Sequence, residues 1–181
     1  DTLNVACLGT GGRSQRILMT RLAQIPNTRI AAVCDVWDTN LKAGAKLADA
    51  KAILEDTDFR RLLDRSDIDA VVIGAPDHWH VPMTIAACEA GKDVYVEKPL
   101  THDLSEGKAV ISAQNKHGRI VQVGTQQRSM PHLLEAREVL QSGVLGKVHK
   151  IHLSWNRNTP RWQRTKYGID PASVRWKQFL G

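Results

Sequence analysis

Strand, turn and helix follow one another within the segment Leu3-Asn4-Val5-Ala6-Cys7-Leu8-Gly9-Thr10-Gly11-Gly12-Arg13-Ser14, and this segment sets the architecture of the chain. Its first six residues are almost continuously apolar, as in a strand that is covered on both faces of a sheet. Gly9 permits a tight turn, and Gly11 lets the backbone approach a pyrophosphate group closely. Amide N–H groups at the start of the following helix then meet the phosphate charge. The segment therefore predicts a strand–turn–helix unit that binds a dinucleotide.

An acidic residue at the end of the second predicted strand supports this interpretation of the glycine-rich turn. The loop predicted to hold the dinucleotide comprises Gly9, Thr10, Gly11, Gly12, Arg13 and Ser14. Ser14 replaces the usual third glycine or alanine but is small enough for close packing of helix on strand. Asp35 lies 21 residues beyond Ser14, where a carboxylate can accept hydrogen bonds from the adenosine ribose. Because its charge would repel a 2′-phosphate, Asp35 favours NAD over NADP.

Short apolar runs alternate with amphipathic segments up to about residue 123. The predicted strands are Leu3–Leu8, Ile30–Cys34, Ala70–Ile73, Val94–Val96 and Ile120–Val123. The predicted helices are Ile17–Ile25, Leu41–Ala48, Phe59–Leu63, Pro82–Ala90 and Ser105–Lys116. This alternation predicts an α/β fold with a doubly wound parallel sheet and right-handed crossovers.

The alternation of apolar runs and amphipathic segments ends near residue 124, and this change in sequence pattern predicts a second domain. Ser129–Ser142 has helical spacing with Ser129 as its cap, and Val148–Trp155 alternates like a strand with one exposed face. Residues 156–181 predict loops. We therefore divide the chain into a dinucleotide-binding domain, residues 1–124, and the beginning of a second α/β (α+β) domain for substrate and oligomerisation, residues 125–181.

Composition and charge narrow the classes of function. The chain is 42% hydrophobic and 24% charged, which is typical of soluble globular proteins, and no apolar run approaches the ~20 residues of a membrane span. Residues 147–181 carry eight Lys/Arg against Asp170 alone, a local balance of +7. No nucleic-acid motif accompanies this charge, so we expect no nucleic-acid partner. The three cysteines have no metal-binding or redox spacing, and we expect buried free thiols and no metal site.

Polar segments follow the third, fourth and fifth predicted strands, namely Gly74–His80, Glu97–Pro99 and Gly124–Arg128. Ligands of open α/β sheets bind outside the carboxyl ends of the strands, so these segments share an edge with the glycine-rich loop. With Pro76-Asp77-His78-Trp79-His80 and Glu97-Lys98-Pro99, the chain resembles the Gfo/Idh/MocA family of glucose–fructose oxidoreductases and inositol dehydrogenases. The resemblance implies a Rossmann-type domain followed by an α/β domain whose open sheet carries the substrate.

By this resemblance, the complete protein is an NAD-dependent oxidoreductase of a sugar or polyol that forms a homo-oligomer. Lys98 is the implied catalytic residue, beside the nicotinamide, where a lysine can bind a substrate hydroxyl and stabilise negative charge on its oxygen. A cis bond before Pro99 is also implied. The further implied cofactor contacts are Pro76, Trp79, His80, Glu97, Gln126 and Arg128. For Trp79 and His80, a helix start that packs on the sheet is the alternative interpretation.

One family feature is absent from this sequence. Family members carry Asp-x-x-x-His early in the second domain, and its histidine is the usual general acid/base; no such spacing occurs here. The chain thus resembles a cofactor domain plus the start of a catalytic domain. Two alternatives stay open: an NAD-dependent glycosidase of the same family, which the form Gly11-Gly12-Arg13-Ser14 favours slightly, and a non-catalytic nucleotide-binding fragment. The compartment stays open between cytoplasm and periplasm.

Overall fold

The computed structural model of the chain describes residues 2–48, 54–154 and 168–181. Its strands are β1 (Leu3–Leu8), β2 (Thr28–Cys34), β3 (Leu54–Asp56), β4 (Ala70–Ile73), β5 (Asp93–Glu97) and β6 (Val121–Gly124). They form one parallel sheet in the order β3-β2-β1-β4-β5-β6. The direction of winding reverses between β1 and β4, and this reversal places a ligand crevice at the carboxyl ends of those strands. The predicted doubly wound fold is confirmed.

Helices connect the strands of this sheet. Helix α1 begins as a π-helical stretch, Ser14–Met19, and ends in the turn Thr20–Leu22. The other helices are α2 (Asp38–Leu47), α3 (Phe59–Leu63), α4 (His80–Glu89), α5 (Gly107–His117), α6 (Pro131–Gln141) and α7 (Trp176–Leu180). Short 3₁₀ turns occupy Asp77–Trp79, Leu104–Glu106, Gln126–Ser129 and Pro171–Ser173.

The hydrophobic core lies on both faces of the sheet. Successive residues of a strand point to opposite faces, and β1 shows this directly. Ala6 and Leu8 pack in the cluster that contains Leu62 of α3, whereas Cys7 packs with Met19 of α1 on the other face. Each fully buried Leu or Met side chain stabilises the fold by about 1.5–3 kcal/mol relative to an exposed one. Burial on both faces explains why the strands have near-continuous apolar sequences.

The three cysteines belong to this core. Cys7, Cys34 and Cys88 are free and buried, as predicted, and burial raises the pKa of Cys7 to about 12. Among residues 2–48, 54–154 and 168–181, no helix is both long and apolar enough for a membrane crossing. The same residues contain no cluster of three or more His, Cys, Asp or Glu side chains that could hold a metal ion.

The chain forms two compact units, one of residues 1–124 with 170–181 and one of residues 125–169. Residues 170–181, which we call the return segment, were predicted as loop in the second domain, but they contain α7 and pack in the first unit. Trp37 pairs with Val174 in a β-bridge, and the Arg175 N–H donates to the Val36 carbonyl at 2.9 Å. These contacts join positions far apart in sequence, so no local pattern indicates them.

Two predictions for residues 125–155 are wrong. Helix α6 follows Met130, whereas the predicted cap Ser129 belongs to the preceding 3₁₀ turn. Residues 148–154 form no strand, and Trp155 lies outside the described residues. A strand needs a neighbouring strand to receive its hydrogen bonds, and the described part of this unit contains none.

Strand β3 escaped the sequence prediction for a different reason. It has only three residues, and two of them are acidic, so it has no apolar run. It pairs with β2 at the edge of the sheet, where one side of the strand needs no partner in the sheet.

Candidate dinucleotide site

Gly9 fixes the glycine-rich loop against the neighbouring strands. Its φ is +83°, and a Cβ at this position would lie 2.5 Å from the Ala75 nitrogen that follows β4. The Gly9 N–H also donates to the Cys34 carbonyl at the end of β2, at 2.8 Å. A side chain is therefore excluded both by the backbone conformation and by the closeness of Ala75.

Gly11 and Gly12 are not required by packing within the chain. A Cβ on Gly11 would meet the Asn40 Nδ2 atom only at 3.8 Å, and one on Gly12 would meet first the flexible guanidinium of Arg16, at 3.2 Å. The first amides of a helix have no intrahelical acceptor and bind anions readily. The open space beside this helix start thus fits a pyrophosphate group.

Ser14 explains how the loop dispenses with its third glycine. Its side chain is 1% exposed, and its hydroxyl donates to the Gly9 carbonyl. A Cβ on Gly74 would lie 2.2 Å from the Ser14 Oγ atom. The glycine that close packing of α1 on the sheet requires therefore stands at the end of β4 instead of in the loop.

Asp35 directly follows β2 and is only 9% exposed. Its carboxylate accepts hydrogen bonds from the Thr10 N–H at 2.8 Å and the Trp37 N–H at 2.9 Å, and the Thr10 hydroxyl oxygen lies 3.3 Å from the carboxylate. Burial raises the pKa of Asp35, and the hydrogen bonds from Trp37 and Thr10 oppose this rise because they favour the charged form. Asp35 thus holds the glycine-rich loop in addition to standing at the predicted ribose position.

Three residues that the sequence analysis missed support this arrangement. The Thr10 hydroxyl donates to the Asn40 carbonyl at 2.9 Å, and the Gln15 amide donates to the Thr10 carbonyl at 2.6 Å. A Cβ on Gly44 would lie 2.6 Å from the Thr10 Cγ2 atom, so the close approach of α2 to the loop requires a glycine at this position. The sequence offers one indication of this contact, because Gly44 lies inside the predicted helix Leu41–Ala48, where glycine is unfavourable unless close packing requires it.

Lys98 follows β5 and has an exposed side chain. The Lys98–Pro99 bond is cis, as the family resemblance implied. Among the described residues, the Lys98 ammonium has no ion pair or hydrogen bond. Its neighbour Glu97 is buried and accepts from Arg13 of the glycine-rich loop, with 2.7 Å between the Arg13 Nη2 and Glu97 Oε1 atoms. The structure thus joins the predicted loop to the Lys98 segment.

His80 lies inside the protein, where it supports the same segment. It is 2% exposed, and its Nδ1 and Nε2 atoms lie 2.6 Å from the Pro99 carbonyl and 2.9 Å from the Ala75 carbonyl. His80 thus links the end of β4 to the segment that carries Lys98. This position matches the alternative interpretation of a helix start packed on the sheet.

Trp79 contacts the return segment. Its indole N–H donates to the Phe179 carbonyl at 2.8 Å, and the His78 Nε2 atom lies 2.8 Å from the same oxygen. The Trp79 ring also meets the Phe59 ring edge-on, with 5.8 Å between centroids. Pro76 is exposed just before the 3₁₀ turn that carries Trp79.

Gln126 and Arg128 belong to the second unit. Both are exposed in the 3₁₀ turn Gln126–Ser129. Their contact with a cofactor stays a prediction.

A six-stranded parallel sheet of this order, with a glycine-rich first turn and an acidic residue after β2, defines a dinucleotide-binding Rossmann domain. The chain belongs to the Gfo/Idh/MocA oxidoreductase family with NAD-binding Rossmann fold, whose family model matches residues 3–125. The family description agrees with the predicted NAD cofactor.

Relatives with described activities include inositol dehydrogenases. Inositol 2-dehydrogenase 2 of Saccharopolyspora erythraea is 35% identical over 158 residues, which are 87% of this chain and 46% of that protein. Inositol 2-dehydrogenase of Rubrobacter xylanophilus is 31% identical and covers 97% of this chain and 52% of that protein. The solved myo-inositol 2-dehydrogenase of Lactobacillus plantarum matches with a TM-score of 0.72 and 27% identity, over 82% of this chain and 43% of that one. The chain thus spans about half the length of these curated relatives.

Proposed function

We propose that this chain is the cofactor-binding part of an NAD-dependent oxidoreductase that transfers a hydride between nicotinamide and a sugar or polyol. The observation that carries the proposal is a shared edge: the glycine-rich loop, Asp35 and Lys98 follow β1, β2 and β5 of one parallel sheet. The names of the inositol dehydrogenase relatives support a polyol as substrate. Assembly of the complete protein into a homo-oligomer is part of the same proposal.

The choice of NAD over NADP rests on Asp35. A carboxylate has about four acceptor positions, and the backbone N–H groups of Thr10 and Trp37 occupy two of them, so a position remains that can accept from a ribose hydroxyl. Its negative charge opposes the 2′-phosphate of NADP in a site that is largely shielded from water. Thr10 and Trp37 keep the carboxylate oriented while it accepts from the ribose.

Lys98 is the residue proposed to act on the substrate. The bound nicotinamide supplies hydride acceptance and donation. The exposed Lys98 ammonium donates a hydrogen bond to the substrate oxygen and stabilises negative charge on it as the C–H bond breaks. The proton of the substrate hydroxyl requires a general base, and the family resemblance implies the histidine of an Asp-x-x-x-His motif for this role.

Calorimetric titration of this 181-residue chain with NAD and NADP tests the cofactor site. We expect NAD to bind more tightly, and Asp35→Asn to weaken NAD binding and reduce the preference for NAD. Asp64→Asn is the matched control, because Asp64 is exposed at the end of α3 and its loss changes the net charge equally. Equal affinity of the wild type for both dinucleotides would refute the role of Asp35.

Turnover in a protein that includes the remainder of the relatives' length tests the reaction. With inositols and sugars as substrates, we expect Lys98→Met to lower kcat about 10²- to 10³-fold, the scale of losing one donor to a developing oxyanion. NAD affinity should stay within a factor of two, on the order of experimental scatter. Release of nitrophenol from nitrophenyl glycosides without net NADH formation would instead support the glycosidase alternative.

A further inference from the structure

Arg13, the cationic residue of the glycine-rich loop, forms an ion pair with the carboxylate of Glu97. The Nε and Nη2 atoms of Arg13 both donate to Oε1 of Glu97, at 2.9 and 2.7 Å. Arg13 lies at the start of the helix that faces the pyrophosphate position, yet its guanidinium reaches the end of β5. Two donors on one oxygen form a strong charge-assisted contact.

The Glu97 carboxylate is buried, so a cationic partner stabilises it strongly. Its side chain is 6% exposed, whereas that of Arg13 is 38% exposed. Burial of a charged carboxylate without a cationic partner costs free energy. If one partner is removed, pairing with another nearby cation lowers this cost. The nearest cation along the chain is the next residue, Lys98.

Lys98 already touches the same carboxylate through its backbone. The Lys98 N–H donates to the Glu97 Oε2 atom at 3.3 Å, whereas the Lys98 ammonium has no partner within the part of the chain that the structure describes. The Glu97 carboxylate therefore contacts Arg13 through the guanidinium and Lys98 through the backbone only, and Arg13 is the cation paired with it. The planar guanidinium fork of arginine suits a carboxylate better than the single ammonium of lysine does.

We propose that Arg13 is a positioning residue that occupies Glu97 and thereby leaves the Lys98 ammonium free to meet a substrate oxygen. The benefit to catalysis rests on the proposed function of Lys98, whereas the competition between the two cations does not. Without the Arg13 charge, Glu97 pairs with Lys98 and holds its ammonium away from the crevice.

Selective labelling of amines on the 181-residue chain tests this competition. A limiting N-hydroxysuccinimide acetate at one fixed pH acylates free amines, and peptide mass spectrometry gives the rate at Lys98 relative to the exposed Lys116. A lysine held in an ion pair with Glu97 is less accessible to the reagent, so we expect Arg13→Met to slow Lys98 labelling about two- to tenfold, as for an ion pair of modest strength. Arg13→Lys should keep most of the wild-type rate.

The double variant Arg13→Met/Glu97→Gln separates positioning from loss of structure. With the carboxylate removed, Lys98 should return to the wild-type labelling rate even though Arg13 is absent. Arg16→Met is the matched control on the same helix and should leave the ratio unchanged. If Arg13→Met fails to fold, Arg13→Gln keeps a donor for Glu97 without the charge and should show the same direction of change.

Unchanged Lys98 labelling in a folded Arg13→Met or Arg13→Gln variant would overturn the inference, and so would slow labelling that persists in the double variant. NAD titration of the same samples keeps the two proposals distinct. Slowed labelling with no NAD binding by the wild type would refute the proposed function while retaining the ion competition. NAD binding by the wild type together with unaltered Lys98 labelling in the Arg13 variants would support the proposed function and refute the competition between the two cations.

Discussion

Helices α4 and α6 both carry apolar side chains but lie in different environments. Helix α4 covers the sheet and buries Val81, Met83, Ala87 and Cys88, among others. Helix α6 buries none of its residues, and Leu133 and Leu140 remain 40% and 57% exposed. An apolar stripe stabilises a fold only where a second layer faces it. The described part of the second unit contains no strand that could supply such a layer.

The contrast between helices that cover the sheet and helix α6 is tested most strongly by two identical truncations, one in α3, which also packs in the core, and one in α6. Leu62→Ala removes a side chain with 0% exposure and should lower the free energy of unfolding by about 2–5 kcal/mol. Leu133→Ala on α6 should change it by no more than about 0.5 kcal/mol, the usual range for surface positions. Urea unfolding followed by circular dichroism measures both. Equal losses would show that α6 is packed as firmly as α3.

A second pair of variants tests whether the glycine-rich loop has separate structural and binding positions. Gly9→Ala should lower the free energy of unfolding by about 3 kcal/mol, because it combines a positive φ with a clash against Ala75. Gly11→Ala meets open space and should leave stability within about 0.5 kcal/mol while weakening NAD binding. Urea titration and calorimetry together assign each glycine. NAD binding by Gly11→Ala at the wild-type affinity would contradict the pyrophosphate position.

The attachment of the return segment to the first unit predicts a smaller effect. Trp79→Phe keeps the aromatic ring but loses the donor to the Phe179 carbonyl, so we expect a loss of about 1 kcal/mol in unfolding free energy. Trp176→Phe is the control, because its indole donates to Pro171 within the return segment itself. Hydrogen exchange of α7 amides should rise in Trp79→Phe and change less in Trp176→Phe. Equal exchange rates in the two variants would show that the hydrogen bond from Trp79 to Phe179 does not hold the return segment in place.

The pH dependence of stability gives the smallest signal and isolates Asp35. Because burial raises the pKa of Asp35, the folded chain holds this proton at a pH where the unfolded chain has lost it. Acidification from neutral pH through that raised pKa towards the ordinary value of 3.8 therefore favours the folded state. The wild-type unfolding free energy minus that of Asp35→Asn should rise as the pH falls. A difference that stays flat or declines would contradict the burial of an ionised Asp35.

The two compact units also differ in how much of their structure the sequence alone predicts. The strands β1 and β4 were located from continuous apolar runs, since burial on both faces leaves a local signature. Asp35 followed from its spacing to the loop. The contact between Arg13 and Glu97 spans 84 positions and depends on strand order, which no local pattern contains. The pairing of Trp37 with Val174 is equally non-local, and the predicted strand after residue 148 lacked a partner with which to pair.

The return segment makes the first unit discontinuous along the chain, and this has a consequence for its synthesis. All six strands leave the ribosome before residue 125, so the sheet can pair while the rest of the chain is still being made. Helix α7 emerges more than forty residues later, after the whole of residues 125–169. The nascent first unit thus passes through a stage with Trp37, His78 and Trp79 uncovered. A cut at residue 124 would preserve that stage permanently, whereas joining residue 124 to residue 170 would give the contiguous version of the same unit.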